Sequence, residues 1–159
     1  MEIDEVEDQR EKVDLAFTTV DKDYLKDKVW PKGHVAEGQN IELRDYQVEV
    51  INNFLKTPQS LQEVATGAGK TIITACLSKI CEPLGRTLVI VPNKGLVTQT
   101  EDDYKIVGLD VGVYFGDRKE LNKTHTICTW QSLNVLDKKT KDGEAKITLS
   151  DFLQGVKTC

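Results

Sequence analysis

Ala65-Thr66-Gly67-Ala68-Gly69-Lys70-Thr71 constrains this chain more than any other stretch of it. Two glycines flanking an alanine leave the backbone free to curl tightly. Behind them Ile72, Ile73, Cys76, Leu77 and Ile80 keep the spacing of one helical face, which predicts a helix from Lys70 to about Cys81. Ahead of them residues 61–64 read as a short strand. A strand, a glycine-rich turn and a helix in that order point backbone N–H groups inward beside the positive end of the helix, and that geometry receives phosphate. With Lys70 reaching β and γ phosphates and the Thr71 hydroxyl placed to hold Mg²⁺, the natural ligand is a nucleoside triphosphate, cradled by Thr66, Gly67, Ala68 and Gly69. Val64 stands where the general GxxxxGK[ST] pattern has its first glycine, and an unliganded strand-to-helix turn could carry the same letters.

Around this loop the chain alternates between elements of two kinds. Gln47, Val50, Ile51, Phe54 and Leu55 form the stripe of a helix that starts near Arg44 and is ended by Pro58. The run TLVIV at 87–91 is continuous and β-branched, as in a parallel strand buried on both faces, and Pro92 closes it. A helix at 94–106, strands at 111–115 and 124–129 and a helix at 131–136 follow. Residues 138–146 read as an exposed loop around an Asp-Gly pair, Ser150 as the cap of a short helix, and the end from Val156 as the start of another strand. The alternation predicts an α/β domain with a parallel sheet flanked by helices, and no internal repeat interrupts it.

Composition narrows what such a domain is for. At 159 residues, 39% apolar and 30% charged, the chain suits one compact domain. No run approaches the roughly 18 to 20 apolar residues of a membrane span, and the acidic start fits neither a secretory nor a transit signal, so a cytoplasmic setting is expected. Cys76, Cys81, Cys128 and Cys159 lack the paired spacing of a zinc site and are expected as reduced core thiols. The whole net charge of −5 falls within residues 1–40, while 41–159 balance, so a local basic face stays open. Residues 1–40, with an apolar helical spacing at Val13, Ala16, Phe17 and Val20 and a stop at Trp30-Pro31-Lys32-Gly33, read as an acidic appendage or linker.

Four motifs together resemble superfamily 2 helicases. Leu43-Arg44-Asp45-Tyr46-Gln47 looks like the Q motif, the loop at 65–71 like the A-T-G-x-G-K-T form of Walker A, Val91 through Gln99 like motif Ia and Thr129-Trp130-Gln131-Ser132-Leu133 like motif Ic. The group that contains the UvsW helicase, the XPB helicase and the motor subunits of restriction enzymes is the most similar. The resemblance covers 41–159 and implies an incomplete RecA-like P-loop NTPase domain. It implies that the nucleotide is ATP, that Gln47, with Arg44 beside it, reads its adenine edge, and that Asn93, Lys94, Gln99, Thr129 and Gln131 lie along single-stranded or branched DNA. Trp130 is open to stacking on a base or to packing, with packing expected, and Gly116-Asp117 either holds the motif Ib position or makes a plain turn.

The same resemblance carries expectations about what the whole motor does. It places an acidic DExH box just beyond Val156 and arginine fingers on a second RecA-like domain, none of which occurs in these 159 residues. Phosphoryl transfer rests on placing metal, water and positive charge around the γ-phosphate, so this chain alone is expected to bind nucleotide without turnover. The complete motor is expected to act in DNA repair, recombination or fork remodelling, in a bacterium or a phage-infected host. A restriction-enzyme motor and a non-catalytic nucleotide-binding module are the alternatives. An unpaired sheet edge where the next strand belongs is expected to favour non-native oligomers.

Overall fold

The computed structural model describes residues 18–65 and 69–159. Five helices and five strands follow in chain order: α1 Asp45–Lys56, α2 Lys70–Cys81, β1 Arg86–Val91, α3 Lys94–Val107, β2 Val111–Phe115, β3 Arg118–Lys119, β4 His125–Thr129, α4 Trp130–Lys141, α5 Leu149–Leu153 and β5 Val156–Thr158. The strands form one sheet in the order β3-β2-β4-β1-β5. All neighbours are parallel except β3, a two-residue strand that turns back antiparallel on β2 through Gly116-Asp117. Gly116 takes φ +56°, the left-handed region such a turn uses, so turn chemistry accounts for it.

Period-two alternation along the strands divides the core between the two faces of the sheet. Val89, Val91, Val111, Val113 and Ile127 face α1, α2 and α3, whose Ile51, Ile72, Cys76, Val97 and Tyr104 complete the larger cluster. Leu88, Tyr114 and Cys128 face the other way, onto Leu136 of α4 and Phe152 of α5. Burying apolar area at about 25 cal/mol per Å² is what holds helices to both faces. The helix-flanked, mostly parallel sheet of an α/β domain is therefore the fold.

Part of the segment expected as an appendage belongs to this core. Leu25 is 0% exposed and Val20 sits beside it, while the Val20 backbone exchanges two hydrogen bonds with the Asn52 side chain of α1 at 2.9 and 3.0 Å. The positions Val13, Ala16 and Phe17 lie outside the described residues.

Five local expectations need correction. Cys159, expected in the core, is exposed, whereas Cys76, Cys81 and Cys128 are buried. Residues 61–65 form no strand: Leu61 is 97% exposed, and no strand pairs with this stretch among the described residues, so β propensity has no ladder to realise it. The helix expected to end near Leu136 continues to Lys141 through four residues of the supposed loop. Lys138, Lys139 and Lys141 suit the negative end of its dipole, and Lys141 pairs with Asp137 one turn back at 2.7 Å. Thr148, not Ser150, caps α5, its hydroxyl accepting from the Asp151 N–H. Trp130 is 56% exposed as the first residue of α4, so packing does not account for it.

Candidate nucleotide site and basic groove

The glycine-rich loop enters the description at Gly69; Thr66, Gly67 and Ala68 lie outside the described residues. Gly69 has φ +71° and opens α2. A Cβ there would stand 2.6 Å from the Gln47 Nε2, so this position is a cradle that only glycine leaves open. Lys70 follows, exposed and without an ion pair among the described residues. Thr71 is nearly buried and its hydroxyl donates to the Asp103 carboxylate of α3.

Gln47 joins α1 to this loop. Its side chain is buried at 6% exposure; its Oε1 accepts from the Arg44 N–H at 2.9 Å and its Nε2 donates to the Gly69 carbonyl at 3.3 Å. One N–H and one lone pair remain on the amide. A donor beside an acceptor is the pair that matches the N7 acceptor and N6 donor of adenine. Arg44 contributes its backbone to this arrangement and keeps its side chain exposed. An exposed lysine, a threonine hydroxyl, helix N–H groups and an amide only half used among the described residues, within one neighbourhood, fit a magnesium-bound adenine nucleotide in donor chemistry.

A second site lies where β1 and β4 end. Val91 pairs with Thr129, so the loops leaving both strands emerge side by side. With the β2–β3 hairpin they enclose a groove of about 550 Å³ lined among others by Asn93, Lys94, Lys119, Gln131 and Lys139. Three lysines and no acid line it, which gives a neutral body a basic local face. Lys119 lies over the Tyr114 ring at 4.3 Å.

The motif residues divide by role here. The Asn93 side chain caps α3 by accepting from the Leu96 N–H at 3.0 Å, and Thr129 caps α4 by accepting from the Ser132 N–H at 3.3 Å. Thr129 is 1% exposed, so its local task is the cap. Lys94 and Gln131 are exposed in the groove, whereas Gln99 is exposed on α3 and is not among the groove's lining. Lys119 and Lys139 escaped the sequence reading because they come from β3 and α4, far apart in the chain; only the sheet order brings them together. Asp103 escaped it as well, since an acid on a predicted helix face ordinarily reads as solvated.

The hairpin that carries Lys119 is fastened to α3 by charge. Arg118 donates two hydrogen bonds to Glu101, at 2.8 and 2.6 Å, and Lys105 adds a third contact at 3.0 Å. Arg118 holds the Glu101 carboxyl at about 2, well below its ordinary range. At the other end of the sheet His125, 0% exposed, meets Thr87 Oγ1 through Nδ1 at 2.5 Å and Glu82 Oε1 through Nε2 at 2.7 Å. Both ring nitrogens are used and Thr87 is 1% exposed, so this trio ties β1, β4 and the turn after α2 together and offers no access to a substrate.

A helix-flanked sheet of this order, with a glycine-rich turn opening one helix and a buried glutamine set against it, defines the RecA-like front of a superfamily 2 helicase motor. Comparison with known proteins agrees. The DNA 3'-5' translocase XPB2 of Sulfurisphaera tokodaii is 36% identical over 93 residues, 58% of this chain and 20% of that protein. A putative DNA 3'-5' helicase Rad25 of Haloarcula marismortui is 30% identical over 99 residues, 60% of this chain and 16% of that protein. The chain thus spans a fifth or less of the curated relatives it matches. A crystal structure of the UvsW helicase of bacteriophage T4 superimposes with a TM-score of 0.57 at 21% identity, covering 67% of this chain and 40% of that one, a likeness of fold. The family described as type III restriction enzyme, res subunit, matches residues 40–151, and the chain belongs to it.

Proposed function

We propose that this chain is the nucleotide-gripping and DNA-tracking part of an ATP-dependent DNA helicase or translocase. The observation that carries the reading is the exposed Lys70 at the mouth of α2, without an ion pair among the described residues, with the Gln47 amide set against the preceding glycine. In this reading Lys70 and the first N–H groups of α2 hold the phosphates, with Thr66, Gly67 and Ala68 completing the loop, and Gln47 with the Arg44 backbone reads adenine. Thr71 is the chain's ligand to Mg²⁺, and bound Mg-ATP supplies the phosphoryl group whose transfer drives a motor of this class. Turnover needs groups beyond these residues, so the chain alone binds without hydrolysing.

DNA follows the basic groove in this proposal. Lys94, Lys119 and Lys139 supply positive charge, Gln131 a side-chain amide, and the N-termini of α3 and α4, shaped by the Asn93 and Thr129 caps, their free N–H groups. Phosphate contacts of this kind position a strand without reading its bases. Gln99 stands outside the groove and would meet only DNA that continues along α3. Residues 41–159 form the motor portion, and the described part of 1–40 shares its core through Val20 and Leu25. A cytoplasmic setting and a role in repair or fork remodelling belong to the same proposal, supported by the kinship with XPB proteins. The family match favours a second biological setting, the motor of a restriction enzyme, with the same chemistry.

Titration of a labelled single-stranded oligonucleotide, followed by anisotropy, tests the groove. Saturable binding that weakens with salt is expected, and Lys94→Ala and Lys119→Ala should each lower the salt slope by about 1. Binding indifferent to both lysines, or none at low salt, refutes the assignment.

A further inference from the structure

Asp103 has no task in the function proposed above, and its surroundings are unusual for a carboxylate. It lies in the third turn of α3, half-buried, and accepts from the Thr71 hydroxyl 32 residues earlier in the chain. Burial pushes its carboxyl up, and the ionisable neighbours that act on it are Asp102 on its own helix and His34 across from it. Among the described residues no lysine or arginine forms an ion pair with it. Glu101, two residues away and more deeply buried, has Arg118 and Lys105. A desolvated carboxylate without a cation lowers stability, so its place beside the metal-ligand candidate asks for a reason.

The hydroxyl chemistry supplies one. A threonine oxygen has one hydrogen and two lone pairs. With the hydrogen committed to Asp103, Thr71 can meet a third group only as an acceptor, which is the face a divalent cation takes. We propose that Asp103 is a positioning residue for Thr71: it fixes the hydroxyl so that the lone pairs face Mg²⁺, and the metal supplies the counter-charge that Asp103 otherwise lacks. Groups behind a metal ligand act in this way by orienting it and raising its basicity. The inference rests on the nucleotide reading above. It also ties metal binding to α3, the helix whose first turn carries Lys94 into the basic groove.

The test is calorimetric titration of the 159-residue chain with ADP, once with Mg²⁺ in excess and once with a chelator, for wild type, Lys70→Ala, Asp103→Ala and Asp103→Asn. Asp103→Ala should weaken Mg-ADP binding about 10- to 100-fold and leave metal-free ADP binding unchanged. Asp103→Asn keeps an acceptor and loses the charge, so it should fall between. The ratio of the two affinities is a readout that a merely structural role would not move. If Asp103→Ala binds Mg-ADP as well as or better than wild type, or both Asp103 variants lose the two forms equally, the positioning role is overturned. If wild type binds no Mg-ADP, or Lys70→Ala binds as wild type does, the nucleotide reading fails and takes this role with it.

Discussion

Replacing Arg118 by alanine should destabilise the domain measurably, and more at neutral than at acidic pH. Glu101 is the side chain left behind: only 7% exposed, it would keep Lys105 alone, whose own side chain is 60% exposed. A carboxyl that ordinarily titrates near 4.5 and is held at about 2 corresponds to roughly 3 kcal/mol at 1.36 per tenfold change. Arg118 is 47% exposed, so water screens the pair and about 2 kcal/mol is the figure to test. For a chain of this size that is a fall in Tm of about 4 to 8 °C. The sign follows from the lowered value: the contribution is fully present above about 4.5 and is lost as pH falls toward 2. Urea unfolding of both proteins by circular dichroism at pH 7 and at pH 3 is the assay. A difference that is below about 0.5 kcal/mol at pH 7, within the scatter of surface substitutions, or that is the same at both pH values would refute the reasoning.

Three further outcomes are expected. Gly69→Ala should abolish Mg-ADP binding in calorimetry while the circular dichroism spectrum is kept, because its Cβ would meet Gln47 Nε2 at 2.6 Å and a left-handed φ costs alanine about 1–2 kcal/mol. His125→Leu should cost about 2–3 kcal/mol in urea unfolding, since it strands the Thr87 hydroxyl inside the sheet and frees Glu82. Sedimentation at rising concentration should show self-association, because β5 lies at the edge of the sheet with its outer side unpaired among the described residues; a single 17.8 kDa species throughout would contradict this.

The parts of this fold that sequence makes legible are those with a strong local signal. Strand β2 spans the predicted residues, β1 and β4 agree to one residue, and α2 runs from Lys70 to Cys81 as its spacing requires. In each, apolar periodicity and a stop signal such as Pro92 or the Gly85-Arg86 pair act over a few residues. Pairing is a different matter. Residues 61–64 have strand-like letters and no partner among the described residues, whereas Arg118-Lys119 has none of those letters and becomes a strand because β2 lies beside it. The site divides in the same way. Lys70, Thr71 and Gln47 are legible because their motifs are contiguous, while the groove lysines from α3, β3 and α4 and the meeting of Asp103 with Thr71 arise only from tertiary packing.

Whether this loop holds a nucleotide is read by hydrogen exchange and mass spectrometry, with and without Mg-ADP. Exchange should slow over residues 65–73 and at the start of α1 around Gln47, and should not slow in Lys70→Ala. Exchange unchanged in both segments, or slowed equally in the Lys70 variant, would contradict a nucleotide held by this loop.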